Sequence, residues 1–136
     1  MVREINHDTF FLGQKSEPAT EADKGVAQDL LDTLKAHTDG CVGMAANMIG
    51  VKKNIIAVSM GPVDVVMFNP VIMRKSKPYE AEEGCLSLDG VRKTTRYQEI
   101  DVVYQDIDFK KHRQSFSGFI AEIIQHECDH LEGILI

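Results

Sequence analysis

Apolar residues recur at helical spacing near each end of the chain and follow strand-like patterns in between. Val26, Ala27, Leu30, Leu31 and Leu34 share one helical face, so residues 21–37 are expected to form an amphipathic helix. Thr20 is the expected N-cap. Asp23 sits near a capping-box position, and Glu21 and Asp23 suit the positive end of the helix dipole. Thr38-Asp39-Gly40 closes the helix. Ahead of it, residues 8–19 show no period and read as an irregular or extended entry that ends in Glu17-Pro18-Ala19-Thr20. Near the other end, Phe119, Ile120, Ile123, Ile124 and Leu131 predict a second helix from about Gly118, terminated by Gly133.

The middle reads as strands. Ile55 to Ser59 and Val63 to Asn69 flank the turn signal Met60-Gly61-Pro62 and can pair as a hairpin. Pro70 to Arg74 continues extended, Ile100 to Tyr104 alternates, and Lys110 to Phe116 forms a further strand after a polar turn. Cys41 to Met48 is small and apolar, without a period. Such residues allow close approach of two backbones, or of a backbone and a ligand; a tightly packed turn fits equally well. The expected fold is α+β: antiparallel or mixed sheets around a helix near the C-terminus, in a single domain over 1–136.

Composition narrows the function. With 43% hydrophobic and 26% charged residues and a net charge of −6, the chain reads as a soluble globular protein. Its short basic clusters, Lys52-Lys53 and Lys110-Lys111-His112-Arg113, read as solvated turns, so no nucleic-acid partner is expected. The N-terminus lacks an apolar signal region, and no run approaches the ~18 apolar residues of a membrane helix. A cytoplasmic location without a membrane partner is expected. Cys41, Cys85 and Cys128 are an odd number, which in a reducing compartment points to buried, metal-bound or catalytic thiols.

The chemistry concentrates in His126-Glu127-Cys128-Asp129-His130, an H-E-x-x-H pattern on the second helix. Residues four apart on a helix stack on one face, so both imidazoles can meet one divalent metal ion. Catalytic zinc-like sites hold three protein ligands and leave one position open. The metal lowers the pKa of a water, and a neighbouring carboxylate, here Glu127, takes its proton. Downstream, only Glu132 is available as a third ligand, and it lies too close along the same turn. Cys85, in Glu82-Glu83-Gly84-Cys85-Leu86-Ser87, can supply it. Read alone, a cysteine there is more often a buried small residue.

Three segments together resemble the peptide deformylase family: Gly43-Met44-Ala45-Ala46, Glu83-Gly84-Cys85-Leu86-Ser87 and Gln125 to His130, in the family's order and at similar spacing, with Asn69-Pro70 before the second. The resemblance implies removal of the formyl group from N-terminal formyl-methionine of nascent chains, by a monomer. It implies Cys85, His126 and His130 as metal ligands and Glu127 as general base and then acid. The metal is Fe(II) by resemblance, with Zn, Ni or Co able to replace it; a thiolate with two imidazoles accepts all of these. The Leu86 N–H is implied as a donor to the formyl oxygen. Glu83 would pair with Arg96, Asp129 would orient a histidine or its neighbours, and Arg92 would lie near the substrate backbone. Gly43, Met44, Ile124 and Cys128 are candidates for lining a methionine pocket, or for plain core packing.

The chain departs from the family pattern in places. Met48 stands where the family has a glutamine that donates to the developing oxyanion, and a thioether cannot donate. Asn47 is one residue away, a step of about 100° on a helix. Cys41 replaces the motif's first glycine, Asp89 stands where many members have proline, and the chain ends at Ile136, soon after the metal helix, where members commonly continue. Two readings follow: a deformylase, or a deformylase-like paralogue that keeps the metal but binds N-termini or hydrolyses another small N-acyl group. A structural zinc module is a third; it would need a fourth protein ligand, and Cys128 points to another helix face.

Overall fold

The computed structural model describes residues 1–136. Five strands, β1 (Gly43–Ala45), β2 (Ile55–Ser59), β3 (Asp64–Cys85), β4 (Leu88–Gln105) and β5 (Lys111–Ser117), form one sheet in sequential order. Every neighbouring pair is antiparallel, and the one parallel element is an isolated bridge between Glu17 and Lys53. Helix α1 spans Thr9–Leu12, α2 Lys24–Ala36 and α3 Gly118–Leu131. The architecture is α+β, as the sequence leads one to expect.

The sheet lies between two helices, and β2 shows why. Its first four residues are all buried, because alternate side chains enter different cores. Ile55 and Ala57 join Leu30 and Leu34 of α2 and Met44, Met48 and Phe68. Ile56 and Val58 join Met67, Ile100, Val102 and, from α3, Ala121, Ile123, Ile124 and Leu131. Helix α3 therefore packs flat on one face of the sheet.

Several sequence boundaries hold closely. The first helix begins with a 3₁₀ turn over Glu21–Asp23 and becomes α-helical at Lys24; the Thr20 N–H donates to Asp23 Oδ2 at 2.8 Å. Helix α3 ends in a Schellman arrangement. The Ile134 N–H reaches Asp129 O at 3.0 Å and the Gly133 N–H reaches His130 O at 3.1 Å. Gly133 has φ +79, and a Cβ there would stand 2.6 Å from Gly13 O, so both turn and packing require glycine.

Three features differ from the sequence reading. Strands β3 and β4 extend far past the expected 63–74 and 100–104, pairing through Glu80 with Thr95 and Glu82 with Lys93 to a turn at Leu86-Ser87. This outer arm is mostly polar, and Lys77 and Glu99 form an ion pair across it at 2.6 Å. Cross-strand pairing of such residues leaves no apolar alternation to read. Residues 9–12, expected as part of an irregular entry, form α1, capped by Asp8 and anchored by fully buried Leu12. Residues 41–48 divide into the short edge strand β1 and a 3₁₀ turn over Ala46–Ile49.

Candidate metal centre and active site

The turn that closes the β3–β4 hairpin faces the middle of α3. There the potential ligand atoms of Cys85, His126 and His130 all lie within 4.8 Å of one another. The two imidazoles approach Nε2 to Nε2 at 3.1 Å, the stacking expected of positions four apart on a helix. Tetrahedral coordination with bonds of ~2.0–2.3 Å separates ligand atoms by roughly 3.3–3.8 Å, so the trio has the right span for one ion.

His126 is anchored through its other ring nitrogen, whereas His130 Nδ1 is buried without a partner. His126 Nδ1 lies 2.7 Å from Glu83 Oε1, which fixes that ring and turns its Nε2 toward His130. Arg96 grips the same carboxylate, with Nε at 2.9 Å from Oε2 and Nη2 at 2.7 Å from Oε1. Burial works against charge on Glu83, but the bonds from His126 and Arg96 outweigh it and hold its pKa at about 2. Burial also lowers His126, yet its contacts with Cys85 and Glu83 leave it raised to about 10. Burial and the His126 charge drive His130 down to about 3. A thiolate with two imidazoles is a donor set that fits a divalent cation, which binds imidazoles in their neutral form.

Glu127 lies beside the trio, 3% exposed, with Oε1 buried and without a hydrogen-bond partner. Burial pushes its pKa up to about 7, against the lowering influence of His126. A carboxyl poised there exchanges protons readily at neutral pH. The Leu86 N–H makes no hydrogen bond within the chain and stands at the turn beside Cys85, free to donate to a ligand oxygen.

Cys85, Leu86, His126 and Glu127 open into a cleft of about 670 Å³ between the hairpin tip, β1 and α3, whereas His130 is fully buried and does not line it. Gly43, Met48, Glu83, Cys85, Leu86, His126 and Glu127 line it. Met44, Ile124 and Cys128, candidates for pocket lining, do not. Met44 and Ile124 are fully buried in the two cores, and Cys128 packs against the α3-side core. Strand alternation turns Met44 away from its neighbour Gly43, and the 100° helical step gives the cleft Ile123 instead of Ile124. Arg92 is not among the lining residues; it donates to Asp89 O at 3.3 Å. Asp129 contacts no histidine and accepts from Arg96 Nη1 at 2.6 Å, so it acts on His126 only through Arg96 and Glu83. Sequence reasoning missed Val42, Phe119 and Glu122 as lining residues. The first two are exposed apolar side chains, a signal visible only once the surface is known.

The chain is similar to known proteins over its whole length. The family model for polypeptide deformylase matches residues 2–136. The chain belongs to the polypeptide deformylase family. It is 58% identical to a peptide deformylase of Clostridium beijerinckii over 136 residues, the whole of both chains, and 36% identical to peptide deformylase 3 of Shewanella oneidensis over 128 residues, 90% of this chain and 78% of the relative. Among solved structures, the Thermotoga maritima peptide deformylase superposes with a TM-score of 0.89 at 30% identity, covering 99% of this chain and 95% of the other. A Met-Ala-Ser-bound class I type b deformylase from Acinetobacter baumannii does so with a TM-score of 0.89 at 28% identity, covering 99% and 97%. Membership in this family makes the chain a hydrolase with a metal-dependent site. No helix is long and apolar enough to cross a membrane.

Proposed function

We propose that this hydrolase removes the formyl group from N-terminal formyl-methionine of nascent polypeptides in the cytoplasm, through a single domain. Cys85, His126 and His130 would hold the metal, Fe(II) in the first instance, with Zn, Ni or Co as substitutes. When bound, the metal acidifies a water and polarises the formyl carbonyl. Glu127 would take a proton from the attacking water and later deliver it to the departing amine nitrogen, so the base becomes the acid. Its buried, unpartnered Oε1 beside the ligand trio is the observation that carries this reading. The free Leu86 N–H donates to the carbonyl oxygen as charge builds there. Glu83 orients His126, and Arg96 pairs with Glu83. The peptide found in the Acinetobacter relative supports a peptidyl ligand for this cleft.

Met48 favours a second reading. Its side chain is buried against the cleft, and its sulfur accepts from the Ala45 N–H at 3.5 Å. It therefore contributes no donor to an oxyanion, which suits a paralogue that deformylates slowly, binds N-termini, or hydrolyses another small N-acyl group. Hydrolysis of formyl-Met-Ala-Ser by Fe(II)- or Co(II)-loaded protein separates the two. Turnover at ordinary enzyme rates, abolished by a chelator, is expected; turnover absent under every metal would overturn the deformylase reading.

A further inference from the structure

The two candidate ligand histidines differ in what stands behind their rings. His126 Nδ1 has the Glu83 carboxylate, whereas His130 is fully buried and its Nδ1 has no partner. A neutral imidazole that binds a cation through Nε2 carries its proton on Nδ1, and a buried N–H needs an acceptor. Asn47 reaches the same residue from the 3₁₀ turn Ala46–Ile49. Its Nδ2 donates to His130 O at 2.9 Å, across 83 residues of sequence. Asn47 is also fully buried, and its Oδ1 is unpartnered. Only the amide nitrogen can donate to a carbonyl, so Nδ2 faces His130 O and Oδ1 remains the free acceptor. Helix capping does not account for this contact. His130 O already accepts from the Gly133 N–H at 3.1 Å, and Asp129 O from the Ile134 N–H at 3.0 Å. An apolar side chain would fill the same buried place without the cost of desolvating an amide. One hydrogen bond thus joins a residue with an unused buried acceptor to a residue whose unused ring nitrogen becomes a donor on metal binding.

We infer that Asn47 is the positioning residue of His130: Nδ2 fixes its backbone, and Oδ1 takes the Nδ1 proton, directly or through one bridging water, as Glu83 does for His126. The inference rests on the ligand assignment above and not on which acyl group is removed. Groups behind a ligating histidine set its tautomer, ring orientation and basicity. The turn that carries Asn47 is itself pinned. Met48 O accepts from the Asn6 N–H at 2.7 Å, and Asn47 O accepts from the Gly50 N–H at 3.1 Å, with Gly50 left-handed at φ +85. Met48 of the same turn lines the cleft, so one short element meets the substrate space through one side chain and the second histidine through the next. A neutral amide suits this position. The Glu83 carboxylate is paired with Arg96, and a second buried carboxylate would need a cation of its own.

The test uses the full chain with Asn47→Leu, which is close in size and removes both amide functions. Its Co(II) affinity, measured by competition with a chromophoric chelator, is expected to fall about 10- to 100-fold, and its Co(II) absorption bands to shift. Leu34→Ala, which opens the α2-side core, is the control, because a general loss of stability leaves the affinity and bands of the folded protein in place. Wild-type affinity and bands in Asn47→Leu, or changes of equal size in the control, would overturn the inference. If Asn47→Leu does not fold, zinc-loaded wild type decides by NMR. A His130 Nδ1 proton with the downfield shift of a hydrogen-bonded imidazole and through-space contact to the Asn47 side chain supports the inference; a proton lacking either overturns it. A wild type that binds no Co(II) would overturn the ligand assignment and the inference with it, whereas wild-type binding beside an unaffected variant sinks the inference alone.

Discussion

Gly43 on β1 and Glu127 on α3 are in such close contact that a Cβ on Gly43 would stand 3.0 Å from Glu127 Oε2 and 2.6 Å from Ile123 Cγ2. The glycine lets the edge strand press against the helix at the residue assigned to proton transfer. Gly43→Ala is therefore expected to displace Glu127 as well as overpack the interface. A loss of about 1–3 kcal/mol in urea unfolding is expected, with a larger fall in kcat than in metal content. Wild-type stability and turnover would show that the contact is loose.

Glu127→Gln keeps the shape of the side chain and removes its proton chemistry. Turnover should fall by ~10²–10⁴, the usual worth of a positioned general base. Metal content by atomic absorption should match the wild type. If metal is lost as well, Glu127 has a ligand role that the present assignment does not give it.

The Glu83–Arg96 pair is almost wholly buried, with side chains 6% and 4% exposed. Arg96→Met leaves Glu83 charged with His126 as its remaining partner and frees Asp129. A destabilisation of roughly 3–5 kcal/mol is expected in denaturant titration, the cost of removing one half of a buried pair. Because Glu83 orients His126, the variant's Co(II) absorption spectrum should shift too. An unchanged spectrum would mean that the Arg96 contact does not reach the histidine.

Met48→Gln restores a side-chain donor on the cleft. Losing such a donor typically costs ~100- to 1000-fold in kcat, so if wild-type kcat falls below ordinary enzyme rates the substitution should raise it. No gain from a low baseline would count against the oxyanion account of Met48.

Burial pushes the Cys41 thiol up to about 12, with the Glu127 charge adding to the rise. The thiolate is the reactive form, so Cys41 is almost wholly a thiol at neutral pH. Its alkylation by iodoacetamide, followed by peptide mass mapping, should climb about tenfold per pH unit from pH 7 to 10 without a plateau. A plateau near pH 8 would contradict a thiol held in its protonated form.

The sequence and the structure agree where a repeating pattern carries the information. Helix α3 spans Gly118–Leu131 against an expectation of about Gly118 to Gly133, and β2 is Ile55–Ser59 as expected. Cys85, His126 and His130 were legible because helical spacing and three motifs in order point to the same site. The outer β3–β4 arm was not legible, since its polar residues satisfy one another across the hairpin and show no buried face. Helix α1 has only four residues, too few to show a period.

By itself the sequence indicated the three candidate metal-binding side chains, the carboxylate beside them, the two main helices and the α+β class. These depend on residue identity and short-range spacing, which backbone geometry converts directly into position. Tertiary structure decided the rest: that the hairpin turn carries Cys85 to α3, that Asp129 acts through Arg96, and that Ile123 rather than Ile124 faces the cleft. It also decided that burial raises Glu127 to about 7. Each of these depends on distances between segments far apart in the chain and on how much water reaches a charge, quantities that only the assembled fold defines.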